Sequence, residues 1–161
     1  NYINQVKEIS QVLIQQNSEN KQIYEENTEK YIKDLEKVEK QYEEISQELN
    51  GQKAICLNEA LEYLAKDIKL EYISLHTDHD ENSMSAESIK NIINKMNTEN
   101  IKIILIGKDD SIKNAEILAN ETNAKIYKLD TVLTGATDKS AYIDAANRNL
   151  EVLKSVLGDE K

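Results

Sequence analysis

The chain has 161 residues, 39% hydrophobic and 31% charged, the balance of an ordinary globular chain with enough length to bury a core without disulfide or metal staples. Its formal net charge of −10 is spread evenly, with 11 acids and 6 bases in residues 1–51 and 19 and 14 in the rest, so no basic stripe offsets the repulsion of phosphate backbones and a nucleic-acid partner is excluded. A single Cys56 rules out an internal disulfide and a Cys-built zinc ribbon, and the longest apolar run, Ile103 to Ile106, is far too short to cross a bilayer.

The chain opens on Asn1 without an apolar signal-peptide core, so we expect a mature or excised piece of a longer protein, with any targeting signal upstream. Tyr2, Val6, Ile9 and Leu13 form one helical stripe. The polar run Gln15 to Ser18 interrupts it, and Ser18 is placed to cap a new helix. Tyr24, Tyr31, Leu35, Val38, Tyr42, Ile45 and Leu49 then recur at heptad-like spacing. This stripe reads either as a coiled-coil seam or as an amphipathic helix lying on its own domain; its shortness and its tyrosines favour the second. Asn50-Gly51 stops the helix, because both residues tolerate the left-handed conformation.

Beyond Gly51 the pattern alternates. Lys53 to Leu57 reads as a first strand, followed by a helix around Leu61, Leu64 and Ala65. Leu70 to Leu75 is the second strand. Ser85 caps a helix carrying Ile89, Ile92, Ile93 and Met96. Ile101 to Ile106 is the third strand, apolar enough to be buried on both faces. Asp110 or Ser111 caps a helix with Ala115, Leu118 and Ala119, Ala124 to Leu129 is the fourth strand, and a last helix runs from about Lys139 to Leu157. The prediction is an α/β fold with a four-stranded parallel sheet flanked by helices and preceded by a long amphipathic helix. Residues 1–50 form the helical part and 51–161 the α/β part.

Open parallel sheets bind ligands at the carboxyl ends of their strands. That rule selects Asn58-Glu59, His76 to Glu81, Gly107 to Asp110, and Asp130-Thr131. The mostly acidic edge favours a cation over a phosphate. His76 and His79, flanked by Asp78, Asp80 and Glu81, have the ligand types for zinc or nickel; the same segment also reads as a solvated acidic loop, and a bare His-x-x-His outside a helix favours that. Enzyme signatures are lacking: there is no Gly-x-Gly-x-x-Gly, no phosphate-cradling Gly-x-x-x-x-Gly-Lys and no Gly-x-Ser-x-Gly. Cys56, inside an apolar strand, reads as a small buried hydrophobe rather than a nucleophile.

Several segments resemble the substrate-binding lipoproteins of zinc and manganese ABC transporters. They are Leu57 to Asp67, Ser83 to Ile89, Ile101 to Ile106 with Ala115 to Ile126, and Tyr142 to Leu150, preceded by the helical opening Ser18 to Tyr24. Proteins of that family have two α/β lobes joined by a long helix, with the metal in the cleft. The chain is similar to the linker helix and C-terminal lobe; the N-terminal lobe, which supplies two histidine ligands, has no counterpart. The resemblance implies a non-enzymatic, extracytoplasmic, lipid-anchored half of a binding protein, on the outer face of the cytoplasmic membrane or in the periplasm. It hands zinc or manganese to a permease, and the anchor lies upstream. By position the acidic ligand falls on Asp130. The His or Glu ligand falls on Asn58, with Glu59 beside it, and Met84 stands where Pro is usual. Asn58 is a departure, since a neutral amide is a poor zinc ligand. Asn58 also suits a helix cap and Asp130 a turn. The alternative implied by Asn58 is a degenerate lobe, without bound metal, that serves in protein–protein interaction.

Overall fold

The computed structural model describes residues 2–75 and 85–158. His76, His79 and the rest of the His76 to Glu81 segment lie outside the described residues. The chain divides into two compact units, Asn1–Gln41 and Tyr42–Lys161.

The first unit holds helix α1 (Tyr2–Gln16), a 3-10 turn over Ser18–Asn20 and the beginning of helix α2 (Lys21–Glu48). Ser18 does not cap α2 as its residue type predicts. It opens the turn, and its carbonyl accepts the Lys21 N–H, so backbone replaces the side-chain cap. The inward face of α1 is also one residue away from the predicted stripe. Ser10 is its buried residue, while Ile9 and Leu13 are exposed. Thr28 Oγ1 on α2 donates to Ser10 Oγ at 2.8 Å, a pairing between helices that apolar periodicity does not report. Of the predicted α2 stripe, Leu35, Val38, Ile45 and Leu49 are buried.

The second unit is the α/β part. After α2, Gly51 takes φ 80° and turns the chain, the left-handed stop that Asn50-Gly51 predicts. Strands β1 (Lys53–Cys56), β2 (Glu71–Ser74), β3 (Ile103–Gly107) and β4 (Lys125–Leu129) alternate with helices α3 (Ala60–Asp67), α4 (Ala86–Glu99) and α5 (Lys113–Thr122), and α6 (Ala141–Gly158) closes the unit. All strand pairs are parallel and the order is β2-β1-β3-β4. Every residue of β3 is buried, as its unbroken apolar run requires of a central strand.

Period-2 alternation divides β3 between two cores. Ile104 and Ile106 join Ile55, Met96, Ala115 and Leu118 in a cluster with α4 and α5. Ile103 and Leu105 point to the opposite face, where α6 packs against β4 and α3 against β2 and β3. On that side the Tyr42 hydroxyl donates to the Ala146 carbonyl at 2.9 Å. The Ser85 cap forms as predicted, its Oγ accepting the Ser88 N–H at 3.1 Å. Helix α5 does not use Asp110 or Ser111; its N-terminal boundary is Ile112, without a side-chain cap bond.

Candidate functional site

The strand order places the topological switch between β1 and β3. From β1 the chain steps outward to β2, then crosses back to β3 on the other side. The carboxyl ends of β1 and β3 therefore diverge into the crevice where ligands of such sheets bind. Asn58 lies just past β1, the segment Lys108 to Ile112 just past β3, and Asp130 just past β4.

Gly107 ends β3, and its N–H donates to Asp110 Oδ2 at 2.9 Å. The same oxygen accepts Asn58 Nδ2 at 2.7 Å. This explains the missing α5 cap: the Asp110 carboxylate reaches back to the sheet edge and bridges the ends of β1 and β3. A Cβ on residue 107 meets Asp110 Oδ2 at 2.6 Å and Asn58 Nδ2 at 3.0 Å, so the bridge in this form needs glycine there. The other half of the Asn58 amide, Oδ1, accepts the Ala60 N–H at 2.9 Å at the start of α3, the capping role its residue type allows. Glu59 follows as an exposed residue at the α3 boundary, without a side-chain cap bond. Beneath them Cys56 Sγ donates to the Asn58 carbonyl at 3.2 Å. Burial is the chief cause that pushes the Cys56 thiol up to about 11, in keeping with an inert, buried side chain.

Asp130 has a different set of partners. Its backbone N–H donates to Asn149 Oδ1 at 2.7 Å, and its carbonyl accepts Asn149 Nδ2 at 2.8 Å, so α6 clamps the end of β4 from both sides. Its Oδ1 accepts the Val132 N–H at 2.9 Å, an Asx-type turn. Val132 is thereby held at φ 59°, an uncommon conformation for a β-branched residue. Oδ2 accepts Lys108 Nζ at 2.9 Å and Arg148 Nη2 at 3.2 Å. Burial opposes ionisation of this carboxyl more than any other single cause acts on it. The Lys108, Val132 and Arg148 donors together outweigh burial and hold its pKa below the ordinary 3.8.

Asn58 and Asp130 therefore share one edge but not one contact set. Two strand spacings separate their strands, roughly 10 Å, and the loop after β3 supplies the partner of each. Among the described residues no three His, Cys, Asp or Glu side chains gather to hold a metal ion. Sequence reading selected Lys108 and Asp110 by position but not by role, and did not select Arg148 or Asn149 as Asp130's partners. Their spacing of 18 and 19 residues from Asp130 carries no local signal; only the packing of α6 on β4 makes them neighbours.

A family model described as "ZnuA: Zinc-uptake complex component A periplasmic" matches residues 1–156. The high-affinity zinc uptake system protein ZnuA of Bacillus subtilis (strain 168) is 31% identical over 158 residues, 95% of this chain and 49% of that protein. The chain thus spans about half the length of this curated relative. Among solved structures, the metal-dependent lipoprotein YcdH from Bacillus subtilis is 28% identical with a TM-score of 0.76, over 92% of this chain and 58% of that chain. The SBP FpvC from P. aeruginosa in complex with Ni2+ has a TM-score of 0.78 at 20% identity, over 99% of this chain and 60% of its own, a likeness of fold. Matched by the family model over nearly its whole length, this chain belongs to the ZnuA family of zinc-uptake components, which are transport proteins and not enzymes.

Proposed function

We propose that this chain is the C-terminal half of an extracytoplasmic metal-ion binding protein that serves an ABC transporter. Residues 1–50 act as linker and long amphipathic helices, and residues 51–161 as the lobe that faces the cargo. The missing half of the relatives' length corresponds to a further lobe that completes the cleft. The cargo is a divalent cation, zinc first and manganese second, passed to a membrane permease by a protein held at the membrane through an upstream lipid anchor.

One observation carries the reading. In a chain matched to a zinc-uptake family, Asp130, to which the sequence resemblance assigns the acidic ligand, is a buried, ionised carboxylate at the carboxyl edge of the sheet. A buried carboxylate must be matched by positive charge, and a divalent cation is a stronger match than the present ammonium and guanidinium. Asn58 is the weaker contributor, because both ends of its amide are engaged. Glu59 beside it is exposed and is the carboxylate nearest in sequence to that position.

The test is thermal melting of chelator-stripped protein with zinc or manganese, with Asp130→Asn alongside. Ligand that binds only the folded state raises Tm. A rise that Asp130→Asn abolishes is the expected result. A rise that survives the substitution moves the metal to the His76 and His79 segment. The engaged Asn58 amide favours a second reading, a lobe that has given up metal and acts in protein–protein interaction; absence of any rise together with self-association in sedimentation supports that one.

A further inference from the structure

We infer that the loop between β3 and α5 is a built-in competitor for the cargo cation, with the Lys108 ammonium as a displaceable counter-ion on Asp130. The inference rests on the reading of Asp130 as a cation ligand and adds what regulates it.

Both carboxylate oxygens of Asp130 carry donors, one on Oδ1 and two on Oδ2. Oδ1 accepts the Val132 N–H, and Oδ2 accepts Lys108 and Arg148. A divalent cation that approaches Oδ2 meets an ammonium 2.9 Å from the same oxygen, and two cations cannot share that position without strong repulsion. One of the present cations has to leave.

The two are not equivalent. Arg148 projects from α6; its contact is the longer, at 3.2 Å, and its side chain is 62% exposed, so it too can swing aside, and what sets Lys108 apart is its loop and a second carboxylate beside it. Lys108 belongs to the loop, and its backbone N–H donates to the Leu129 carbonyl at 2.8 Å, which extends the β3–β4 ladder and fixes its Cα beside Asp130. Its side chain, however, is 39% exposed, so the long flexible stem can swing outward without unpacking a core. A second acceptor is at hand: Asp109 Oδ2 lies 4.0 Å from the same ammonium. Lys108 can therefore exchange one carboxylate for another when a stronger cation takes Asp130.

The same loop occupies the other ligand position. Two residues beyond Lys108, Asp110 holds the Asn58 amide, and Gly107 makes room for that contact. A single five-residue connection thus satisfies the polar groups past both β1 and β4. Without cargo it helps keep a buried carboxylate neutralised and so avoids the cost of an unpaired buried charge. With cargo it opposes binding and favours release.

Calorimetric titration of the chelator-stripped 161-residue chain with zinc tests this. The set is wild type, Lys108→Met, Lys108→Arg, Asp130→Asn and the Lys108→Met/Asp130→Asn double variant. Met keeps the stem's packing, and Arg148 still neutralises Asp130 in it. The expected result is binding about tenfold tighter in Lys108→Met, the scale of one ion pair with a buried partner. Lys108→Arg stays near wild type, and the double variant loses the gain. Affinity in Lys108→Met equal to or weaker than wild type, with Asp130→Asn weakening both, overturns the competitor role and leaves Asp130 as ligand. Zinc binding that Asp130→Asn does not alter in either background, including none at all, overturns the ligand role and the inference together. A second readout uses the wild type alone: acylation of Lys108 by acetic anhydride, followed by mass spectrometry, rises relative to the other lysines at saturating zinc. An unchanged rate counts against displacement.

Discussion

Asp130 shows how much one side chain can be asked to hold. It terminates a strand, builds a turn through Val132, anchors α6 through Asn149 and carries a buried negative charge. Its partners depress its pKa, so its contribution to stability is complete above the ordinary carboxylate value and is lost as pH falls through the lower, folded value. Wild-type protein should therefore lose stability below about pH 4 more steeply than Asp130→Asn, measured by urea unfolding across pH 2.5–7. At neutral pH the substitution should cost about 1 kcal/mol, modest because the Lys108 and Arg148 side chains are 39% and 62% exposed and their attraction is screened. An acid limb unchanged in Asp130→Asn assigns that limb to other carboxylates. Asn58 is the complementary case: its residue type predicts a cap, and its Oδ1 does accept the Ala60 N–H, but its Nδ2 also finds a partner 52 residues away.

At the scale of elements, the loop after β3 departs furthest from its local signals. Asp110 sits where a helix cap is expected, yet spends its carboxylate on Gly107 N–H and Asn58, because one acceptor there satisfies two donors that the sheet edge leaves open. Gly107→Ala drives a Cβ against that carboxylate and should cost about 1–2 kcal/mol as the bridge opens. In an Asp110→Ala background the clash is gone, and most of that cost should vanish. A double-mutant cycle by urea unfolding measures the coupling, and additive effects of the two substitutions would show that the glycine serves the backbone alone. The helix ends follow local rules more closely. Asn100 and Asn123 close α4 and α5 at φ 53° and 54°, the left-handed stops for which Asn is the usual choice after Gly.

For the molecule as a whole, stability is concentrated in the α/β unit. β3 is buried on both faces between β1 and β4, whereas α1 buries one residue, Ser10. Native-state hydrogen exchange should find the amides of Ile104, Leu105 and Ile106 the slowest, opening only with global unfolding, and those of α1 orders of magnitude faster. Equal protection in α1 and β3 would contradict this ordering. The exposed apolar residues Ile9, Val12, Leu13 and Ile23 fall in the first unit. The α/β unit's edge strands differ from its centre: β2 has no fully buried residue, and β4 buries Tyr127 and Leu129 but exposes Lys125 and Lys128.

The sequence by itself determined the α/β class, four parallel strands in chain order, the long amphipathic helix and the places where polar residues meet the sheet's carboxyl edge. These are consequences of hydrophobic period and of residues that stop helices, both of which act over a few neighbours. Tertiary structure alone decided which face of α1 turns inward, where Asp110 spends its carboxylate, and that Lys108 and Arg148 share one oxygen of Asp130. The apolar residues of α1 lie on more than one stripe, so periodicity leaves its rotation open until Thr28 meets Ser10. The charges around Asp130 come from β3's loop and α6, 22 and 18 residues away. Nothing in local propensity links such positions; the parallel crossover and the docking of α6 bring them within hydrogen-bond distance.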